Sequence, residues 1–372
     1  MTIRTLVSHE WVESVGGSEN VFREFLRALP QADALALWND MPQSFDRTVG
    51  ETWLARSPLR GRKALSLPFM TSAWRRIDLA GYDRVVASSH AFGHQLAYFA
   101  ALRGLEAFSY VHTPARYVWA PEVDPRGAGL SVRTASRPLR KWDAAHTSSR
   151  VRYAANSYFL RDRIERSWKQ PSSVIYPPVD VERIRSVQRW ADHLTDQSAA
   201  TFEAVTKEPF LFTASRLVSY KRVDVAIRIA ADLGLPVVIA GGGPELEDLT
   251  KLADEIGAVA HFVGRVGDEF LYALYQEAML FVFLAIEDFG IMPVEAMAAG
   301  TPVLVNSIGG AAESAELLRG GLTVRAEAPA EELREVARAA CALSMDGLPA
   351  KAEANFSRQV FADRIREWLD EA

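Results

Sequence analysis

Two glutamates, Glu287 and Glu295, stand eight positions apart in the stretch whose residue types are best suited to chemistry. The stretch reads Glu-Asp-Phe-Gly-Ile-Met-Pro-Val-Glu; it follows an apolar run typical of a buried strand and leads into a helical pattern. A helix that begins there offers unpaired N–H groups and partial positive charge. A carboxylate accepts paired hydrogen bonds from neighbouring hydroxyls, so each glutamate is able to hold a sugar ring. Two ordinary helix-terminal acids are the plain alternative, but the whole run favours a binding site.

Two cations, Arg216 and Lys221, come directly after the apolar run Phe210–Ala214. If that run is a parallel strand, both cations lie at its carboxyl end, where such sheets bind ligands. Arginine donates forked hydrogen bonds to phosphate oxygens, and lysine supplies a point charge. A solvated loop with a helix-capping lysine is the alternative, but the position at a strand end favours phosphate binding.

Three weaker signals point the same way. Gly16 and Gly17 precede a helical stretch, and glycine lets the backbone approach a phosphate or sugar, although a plain turn explains the pair equally well. His112 ends a strand-like run before Thr-Pro, which favours a site over the structural role of most lone histidines. The run Gly241–Gly243 fails the dinucleotide fingerprint because Leu246 replaces its last glycine, so it predicts a tight turn close to a ligand.

Metal and cofactor chemistry has no obvious support in the sequence. The chain has no Asp-x-Asp pair of the kind that holds a metal–diphosphate complex. Its single cysteine, Cys341, excludes an intrachain disulfide and fits a reduced compartment. The start of the sequence has no apolar signal-peptide core, and no apolar run is long enough for a membrane span. We therefore predict a metal-free cytoplasmic protein.

Charge is distributed unevenly. The net charge of −5 argues against a general nucleic-acid binder. Residues 133–169, however, hold ten Lys and Arg against three acids. This basic segment is either a set of solvated helix faces, which we favour, or a patch that meets anionic lipid at the inner face of the membrane or a phosphate-bearing acceptor.

Strand-like and helical patterns alternate along the chain and predict an α/β fold of two doubly wound Rossmann-like domains in tandem. The candidate strands are Ile3–Val7, Ala34–Trp38, Arg84–Ser88, Phe108–His112, Arg152–Asn156, Val174–Tyr176, Phe210–Ala214, Pro236–Ala240, Val259–Val263, Leu280–Leu284 and Pro302–Asn306. A helix is predicted over Lys221–Leu233, where apolar residues repeat at the helical period. A stretch rich in Pro, Gly and Ser between Ala120 and Ser136 predicts a long loop.

Paired prolines in Tyr176–Asp180 cannot continue a strand or helix and predict the interdomain linker. The expected division is therefore an N-terminal domain over 1–180, a second domain over 181–354 and a terminal segment over 355–372. The tail Phe356–Leu369 is predicted to be one amphipathic helix.

Taken together, these residues resemble glycosyltransferase family 4, the large retaining family of GT-B fold, and look most similar to its bacterial mannosyltransferase-like members. Four motifs carry the resemblance, which covers nearly the whole chain and is strongest over 210–310. They are Glu287 to Glu295, Arg216 with Lys221, Gly16-Gly17, and His112-Thr113-Pro114.

The resemblance implies a metal-independent enzyme that moves a hexose, with retention, from a nucleotide-diphosphate donor to a glycan, lipid-linked or small-molecule acceptor. GDP-mannose is the favoured donor and a UDP-hexose the next. In the family the two domains face each other across a cleft, and the C-terminal helix crosses back to the N-terminal domain. The leaving phosphate itself takes the acceptor proton in the usual front-face proposal for retaining members.

The resemblance also implies residue roles. Arg216 and Lys221 hold the diphosphate, Glu295 accepts from the ribose hydroxyls, and Glu287 contacts the hexose. His112 binds the hexose near the reacting carbon. The remaining donor contacts are Gly16 and Gly17 at the diphosphate, the turn glycine Gly242, Arg265 and Val266 near the base, and the backbone of Phe289, Gly290 and Ile291.

One departure from the family is the run from Gly309 to Glu313, because a bulkier residue or proline usually precedes the acid. Two other functions remain open from the sequence. One is a sugar-nucleotide epimerase of the same fold, and the other is a non-catalytic sugar-nucleotide-binding protein. Donor turnover with and without acceptor separates the three.

Overall fold

A computed structural model describes residues 3–13, 16–119 and 130–371. The chain divides into two compact units. Unit 1 comprises Met1–Pro178 with Gln359–Ala372, and unit 2 comprises Val179–Arg358. Within the described ranges, we find no helix that combines the length and the apolar character of a membrane span.

Unit 1 is built on a parallel sheet of seven strands in the order β3-β2-β1-β4-β5-β6-β7. The strands are β1 Thr5–Val12, β2 Asp33–Asn39, β3 Val49–Glu51, β4 Arg84–Ser89, β5 Glu106–Val111, β6 Val151–Ala155 and β7 Ser172–Val174. The helices are α1 Gly17–Ala28, α2 Lys63–Arg75, α3 His94–Leu102, α4 Arg116–Trp119, α5 Leu130–Ala144 and α6 Tyr158–Trp168. All eight residues of β1 are buried, as expected for a parallel strand covered on both faces.

Unit 2 is built on a second parallel sheet of six strands, in the order β10-β9-β8-β11-β12-β13. The strands are β8 Leu211–Ala214, β9 Val237–Ala240, β10 Ala260–Gly264, β11 Leu280–Phe283, β12 Val303–Asn306 and β13 Gly321–Val324. The helices are α7 Val181–Arg185, α8 Asp196–Val205, α9 Val223–Leu233, α10 Leu246–Ile256, α11 Asp268–Glu277, α12 Ile291–Ala298, α13 Gly310–Leu318, α14 Ala330–Cys341 and α15 Leu348–Phe356. The two doubly wound domains that the alternating pattern predicts are confirmed.

Each sheet has one point at which the order of the strands reverses. In unit 1 this switch point lies between β1 and β4, and in unit 2 it lies between β8 and β11. Loops that leave neighbouring strands at a switch point run to opposite faces of the sheet and leave a crevice at the carboxyl ends of the strands. The functional side chains are therefore to be sought at these two places.

The tail differs from the single helix that its periodicity predicts. It forms α15 and then a separate helix, α16, over Arg358–Asp370, because the backbone of Ser357 is extended. Phe356 belongs to unit 2, where its ring lies 5.7 Å from that of Phe289. In α16, Phe361 packs edge-on against Phe25, with ring centroids 5.3 Å apart, so this helix is part of unit 1.

Three further differences concern short or polar segments. Strands β3 and β13 are not predicted, because each contains a glycine and a polar residue and has no continuous apolar run. Residues 120–129 of the predicted loop lie outside the described ranges, and from Leu130 onward the chain is the helix α5. This part of the prediction is wrong because packing outweighs a loop-like composition: Leu139 and Trp142 of α5 pack against the core of unit 1.

Candidate active site

The switch point of unit 2 carries the predicted cations. The loop after β8 presents Arg216, which is exposed and donates from its guanidinium to the hydroxyl of Tyr220 at 2.9 Å. A short 3-10 turn, Ser219–Lys221, then brings Lys221 back toward the sheet. Both cations stand on one loop at the carboxyl end of β8, as their position in the sequence predicts.

The ammonium of Lys221 lies 2.5 Å from Oε1 of Glu287, which follows β11. The two side chains are only 16% and 15% exposed, so their attraction is screened less than that of a surface pair. The same ammonium lies 5.4 Å from the centre of the Phe283 ring. The ion pair thus joins the two loops that flank the switch point, and it puts a cation and a carboxylate side by side there.

The loop of Glu287 packs closely against Gly309 and Gly310. The N–H of Gly310 donates to the carbonyl of Glu287 at 2.9 Å, and a Cβ at Gly310 would lie 2.2 Å from the carbonyl oxygen of Asp288. A bulkier residue at this position would push the Glu287 loop away.

The start of α12 is the predicted anion site after Glu287. Gly290 caps the helix, and Ile291 is its first residue. Pro293, in the first turn, has no N–H to offer. The ring of Phe289 is buried against Phe356, so at this residue only the backbone is left to contact a ligand.

Glu295 lies further along α12 and has different neighbours from Glu287. It is half-buried, and its Oε2 accepts a hydrogen bond from the hydroxyl of Tyr275 at 3.4 Å. Burial raises the pKa of Glu295 to about 7, and the negative charges of Asp268 and Asp180 act in the same direction. This carboxyl therefore changes charge near neutral pH.

The loops after β8, β9 and β10 lie side by side. Leu217 N–H donates to the carbonyl of Gly242 at 3.1 Å, and Gly241 N–H donates to that of Gly264. Gly241 has a φ of +128°, and a Cβ there would overlap the carbonyl of Ser215. The exposed side chain of Arg265 lies beside Gly242, and Val266 follows it. The predicted turn and base-side residues thus share one edge of the sheet.

His112 is the predicted site residue of unit 1, and it follows β5 half-buried. Its Nε2 lies 2.8 Å from Oγ of Ser88, whose own hydroxyl is 3.1 Å from Nδ1 of His9. Burial, together with the charges of His9 and His90, holds the pKa of His112 well below its usual range. At neutral pH, His112 is therefore an uncharged hydrogen-bonding group.

Sequence reasoning missed the buried carboxylate Glu10 in β1. Glu10 accepts hydrogen bonds from the backbone N–H groups of His90, Ala91 and Gly93 and from the hydroxyl of Ser89. The imidazole of His90 lies 3.0 Å from its other oxygen. Although burial acts against ionisation, His90 and these donors hold the pKa of Glu10 well below its usual range. Glu10 therefore fixes the loop after β4 at the switch point of unit 1.

His9, Glu10 and His90 together have the residue types of a metal site, and one ligand atom from each lies within 4.8 Å of the others. The carboxylate of Glu10, however, already accepts from three N–H groups of one loop. Nδ1 of His9 is likewise engaged by Ser88. The arrangement fits a hydrogen-bonded support for the loop rather than a metal centre.

Gly16 and Gly17 begin α1, also at this switch point. Gly16 is the residue before the helix, and a Cβ there would overlap the carboxylate of Glu19. Gly17 is exposed. The structure thus brings His112 together with His9 and Ser88 in unit 1, and Lys221 together with Glu287 in unit 2.

The basic segment 133–169 is divided between α5, the loop that follows and α6. Several of its cations have local partners: Arg140 donates to the carbonyl of Val118, Arg161 pairs with Asp162, and Arg163 lies over Phe159. The exposed Arg150 and Arg166 face solvent. This placement fits solvated helix faces.

Two family profiles match this chain. Residues 15–183 match the family described as Glycosyltransferase Family 4, and residues 196–343 match Glycosyl transferases group 1. The chain belongs to glycosyltransferase family 4. Solved structures support the GT-B fold of this family 4 chain: HepE of Anabaena in complex with UDP-glucose superposes with a TM-score of 0.71 at 17% identity, over 99% of this chain and 100% of HepE.

Two curated relatives of this family 4 chain are named glycosyltransferases. A GDP-mannose-dependent alpha-(1-6)-phosphatidylinositol monomannoside mannosyltransferase of Mycobacterium tuberculosis is 31% identical over 45% of this chain and 47% of its own length. A D-inositol 3-phosphate glycosyltransferase of Streptomyces griseus is 28% identical over 69% of this chain and 60% of its own length. The chain thus matches about half of the first relative and three-fifths of the second.

Proposed function

We propose that this chain transfers a hexose, with retention and without a metal ion, from a nucleotide-diphosphate donor to a hydroxyl acceptor. The observation that carries the proposal is the Lys221–Glu287 pair at the switch point of unit 2, with Arg216 on the same loop. A switch point is where α/β sheets bind nucleotides, and the pair places a phosphate-binding cation beside a hydroxyl-binding carboxylate.

The cations account for activation of the leaving group. As the glycosidic bond breaks, negative charge develops on the diphosphate. Lys221 and Arg216, with the N-terminus of α12, stabilise that charge without needing to reorganise. Because Glu287 holds Lys221 in place, the ammonium is oriented before the donor arrives.

The carboxylates and His112 account for recognition. Glu287 accepts hydrogen bonds from hexose hydroxyls, and Glu295 accepts from the ribose. His112 stays uncharged because its pKa is lowered, so it donates or accepts a hydrogen bond without adding positive charge. The leaving phosphate takes the proton of the acceptor hydroxyl.

Relatives guide the choice of substrates to test. GDP-mannose is the first donor, because the M. tuberculosis relative is named as dependent on it. A UDP-hexose is the second, because HepE crystallised with UDP-glucose. The named acceptors of the relatives are phosphatidylinositol monomannoside and D-inositol 3-phosphate, so inositol-containing lipids and small molecules lead the acceptor panel, followed by glycans.

A thermal-shift panel of GDP- and UDP-sugars tests donor binding. A ligand present at a hundredfold excess over its Kd stabilises the folded state by about 2.7 kcal/mol, so a true donor raises Tm measurably. We expect GDP-mannose to give the largest shift, and Lys221→Ala to remove it while Lys207→Ala, an exposed lysine elsewhere in unit 2, keeps it. The absence of a shift with every sugar nucleotide would contradict the proposed function.

Chelation is expected to leave transfer unchanged. The protein supplies Lys221 and Arg216 at the diphosphate, so no metal ion is required to neutralise it. The measurement is the initial rate in excess EDTA, against the rate with added Mg²⁺. A loss of activity that Mg²⁺ restores would show that these two cations are insufficient.

Donor affinity is expected to rise with pH because of Glu295. Below its pKa of about 7 this carboxyl is protonated and is a poorer acceptor for the ribose hydroxyls. Between about pH 6 and pH 8 the ionised fraction rises about tenfold, and we expect donor Kd to fall by a similar factor. Titration calorimetry with wild type and Glu295→Gln measures this. The same pH profile in both proteins would remove Glu295 from the donor site.

A further inference from the structure

An apolar patch is exposed on one face of α2 in unit 1. Leu65 and Phe69 of this helix are 57% and 44% exposed. Trp53, on the preceding 3-10 turn, is 38% exposed and meets Phe69 edge-on, with ring centroids 6.4 Å apart. Large apolar side chains that cluster at the surface and touch one another mark an interaction site more often than scattered ones do.

The neighbouring face of α2 already packs on the core. Ser66, Met70, Ala73 and Trp74 are buried. Leu65 and Phe69 are four positions apart, so they project from the same side of the helix, next to that buried face but outside it. Their exposure is therefore not a consequence of a missing core contact within unit 1.

Positive charge surrounds the patch. Residues 52–77 contain six Lys and Arg and not one Asp or Glu. Arg60 and Lys63 pair with acids from other segments. Within the described part of the chain, the other four have no carboxylate partner. They are Arg56, Arg62, Arg75 and Arg76, and all four are exposed.

Charged and apolar residues share one face. Leu65, Phe69 and Arg76 follow one another at spacings of four and seven positions, which align them along one side of the helix, and Arg62 immediately precedes the helix. The guanidinium of Arg76 lies 6.0 Å from the centre of the Trp53 ring. The apolar patch therefore has an arginine at each end. This arrangement is complementary to a surface in which phosphates lie above an apolar layer.

We propose that this face, called here the α2 face and formed by Trp53, Arg62, Leu65, Phe69 and Arg76, docks on the surface of an anionic lipid bilayer. The apolar side chains enter the boundary between headgroups and acyl chains, and the arginines contact lipid phosphates. The basic segment 133–169 is the rival surface, but its cations are partly engaged by local partners. None of the proposed donor-site residues lies on the α2 face, so the two proposals fail separately.

Sedimentation with vesicles tests the α2 face. We expect the protein to bind vesicles of phosphatidylcholine that contain phosphatidylglycerol, to bind pure phosphatidylcholine weakly, and to be released by salt. Failure to bind the anionic vesicles would overturn the proposal.

The variant Arg62→Gln/Arg76→Gln separates the two basic surfaces. At roughly fivefold per arginine, this double variant is expected to bind about 25-fold more weakly. Its matched control is Arg150→Gln/Arg166→Gln, which removes two exposed arginines from the rival segment of the same unit. An equal or larger loss in the control would place the contact on the basic segment instead.

Apolar insertion distinguishes a bilayer from other occupants. Leu65→Ser/Phe69→Ser is expected to lose vesicle binding on the order of tenfold or more, whereas Leu246→Ser/Leu317→Ser, which alters two exposed leucines of unit 2, keeps it. Equal binding by wild type and the Leu65→Ser/Phe69→Ser variant would contradict lipid docking. So would a wild-type protein that sedimentation shows to be a dimer and that this variant converts to a monomer. Sugar transfer to a water-soluble acceptor is expected to be the same in wild type and every variant.

Discussion

Lys221→Ala is expected to lower the turnover of the sugar donor by about 10²–10³-fold, the usual cost of removing one group that stabilises charge in the transition state. The loss should appear in kcat more than in KM, because the charge on the leaving diphosphate grows as the bond breaks. Arg216→Ala is expected to act in the same direction. Steady-state kinetics with saturating acceptor measures both effects.

Matched controls separate this effect from loss of structure. Lys207→Ala and Arg228→Ala remove exposed cations of the same unit and should leave kcat unchanged. Removing Lys221 also leaves Glu287 without that partner in a half-buried site, so the Tm of the variant must be compared with that of the wild type. A folded Lys221→Ala protein with wild-type turnover would disprove the diphosphate role of this residue.

Glu10→Ala is expected to give the largest loss of stability, about 3–5 kcal/mol in the free energy of unfolding, typical of breaking a buried charged pair. The substitution leaves three N–H groups and the imidazole of His90 without their acceptor. Urea unfolding at neutral pH measures the change. Asp162→Ala is the matched control, since its pair with Arg161 is largely exposed and contributes about 1 kcal/mol or less.

The contribution of Glu10 also has a definite pH dependence. Its folded-state pKa lies below the ordinary value of 4.5, so the stabilisation is present above that pH and is lost as pH falls through the lower folded value. Glu10→Gln, which keeps an acceptor, should be less destabilised than Glu10→Ala and less sensitive to acid than the wild type. If Glu10→Ala unfolds within 1 kcal/mol of the wild type, the loop after β4 does not depend on this carboxylate.

The sequence predicts where the unit 2 side chains lie in the fold, because its signals are local. Arg216 and Lys221 follow one strand and Glu287 follows another, and carboxyl ends of parallel strands meet at one edge. The direct Lys221–Glu287 contact is not predictable, because it depends on β11 returning to lie beside β8. The burial of Phe289 is not predictable for the same reason. Its position in the motif is read directly from the sequence, but its ring packs against Phe356, which lies far along the chain.

Glu10 shows why the polar cluster of unit 1 was harder to find. The predicted strand ends at Val7, because Ser-His-Glu interrupts the apolar run, whereas β1 continues to Val12. The polar side chains are tolerated inside the sheet only because the loop at His90, eighty residues away, supplies their partners. One signal in the sequence could have corrected this: the polar residues are followed at once by Trp11 and Val12. A return of apolar residues indicates that the strand continues through the polar ones.

The central claim is that this chain moves a sugar from a nucleotide diphosphate to an acceptor. The measurement that tests it most directly is mass spectrometry of reactions with GDP-mannose or a UDP-hexose, run with and without an inositol-containing or glycan acceptor. The account predicts a product heavier by one hexose and release of the nucleoside diphosphate only when acceptor is present, with neither in Lys221→Ala. An epimerised sugar nucleotide formed without acceptor, or a donor that binds and is never consumed across the acceptor panel, would contradict it.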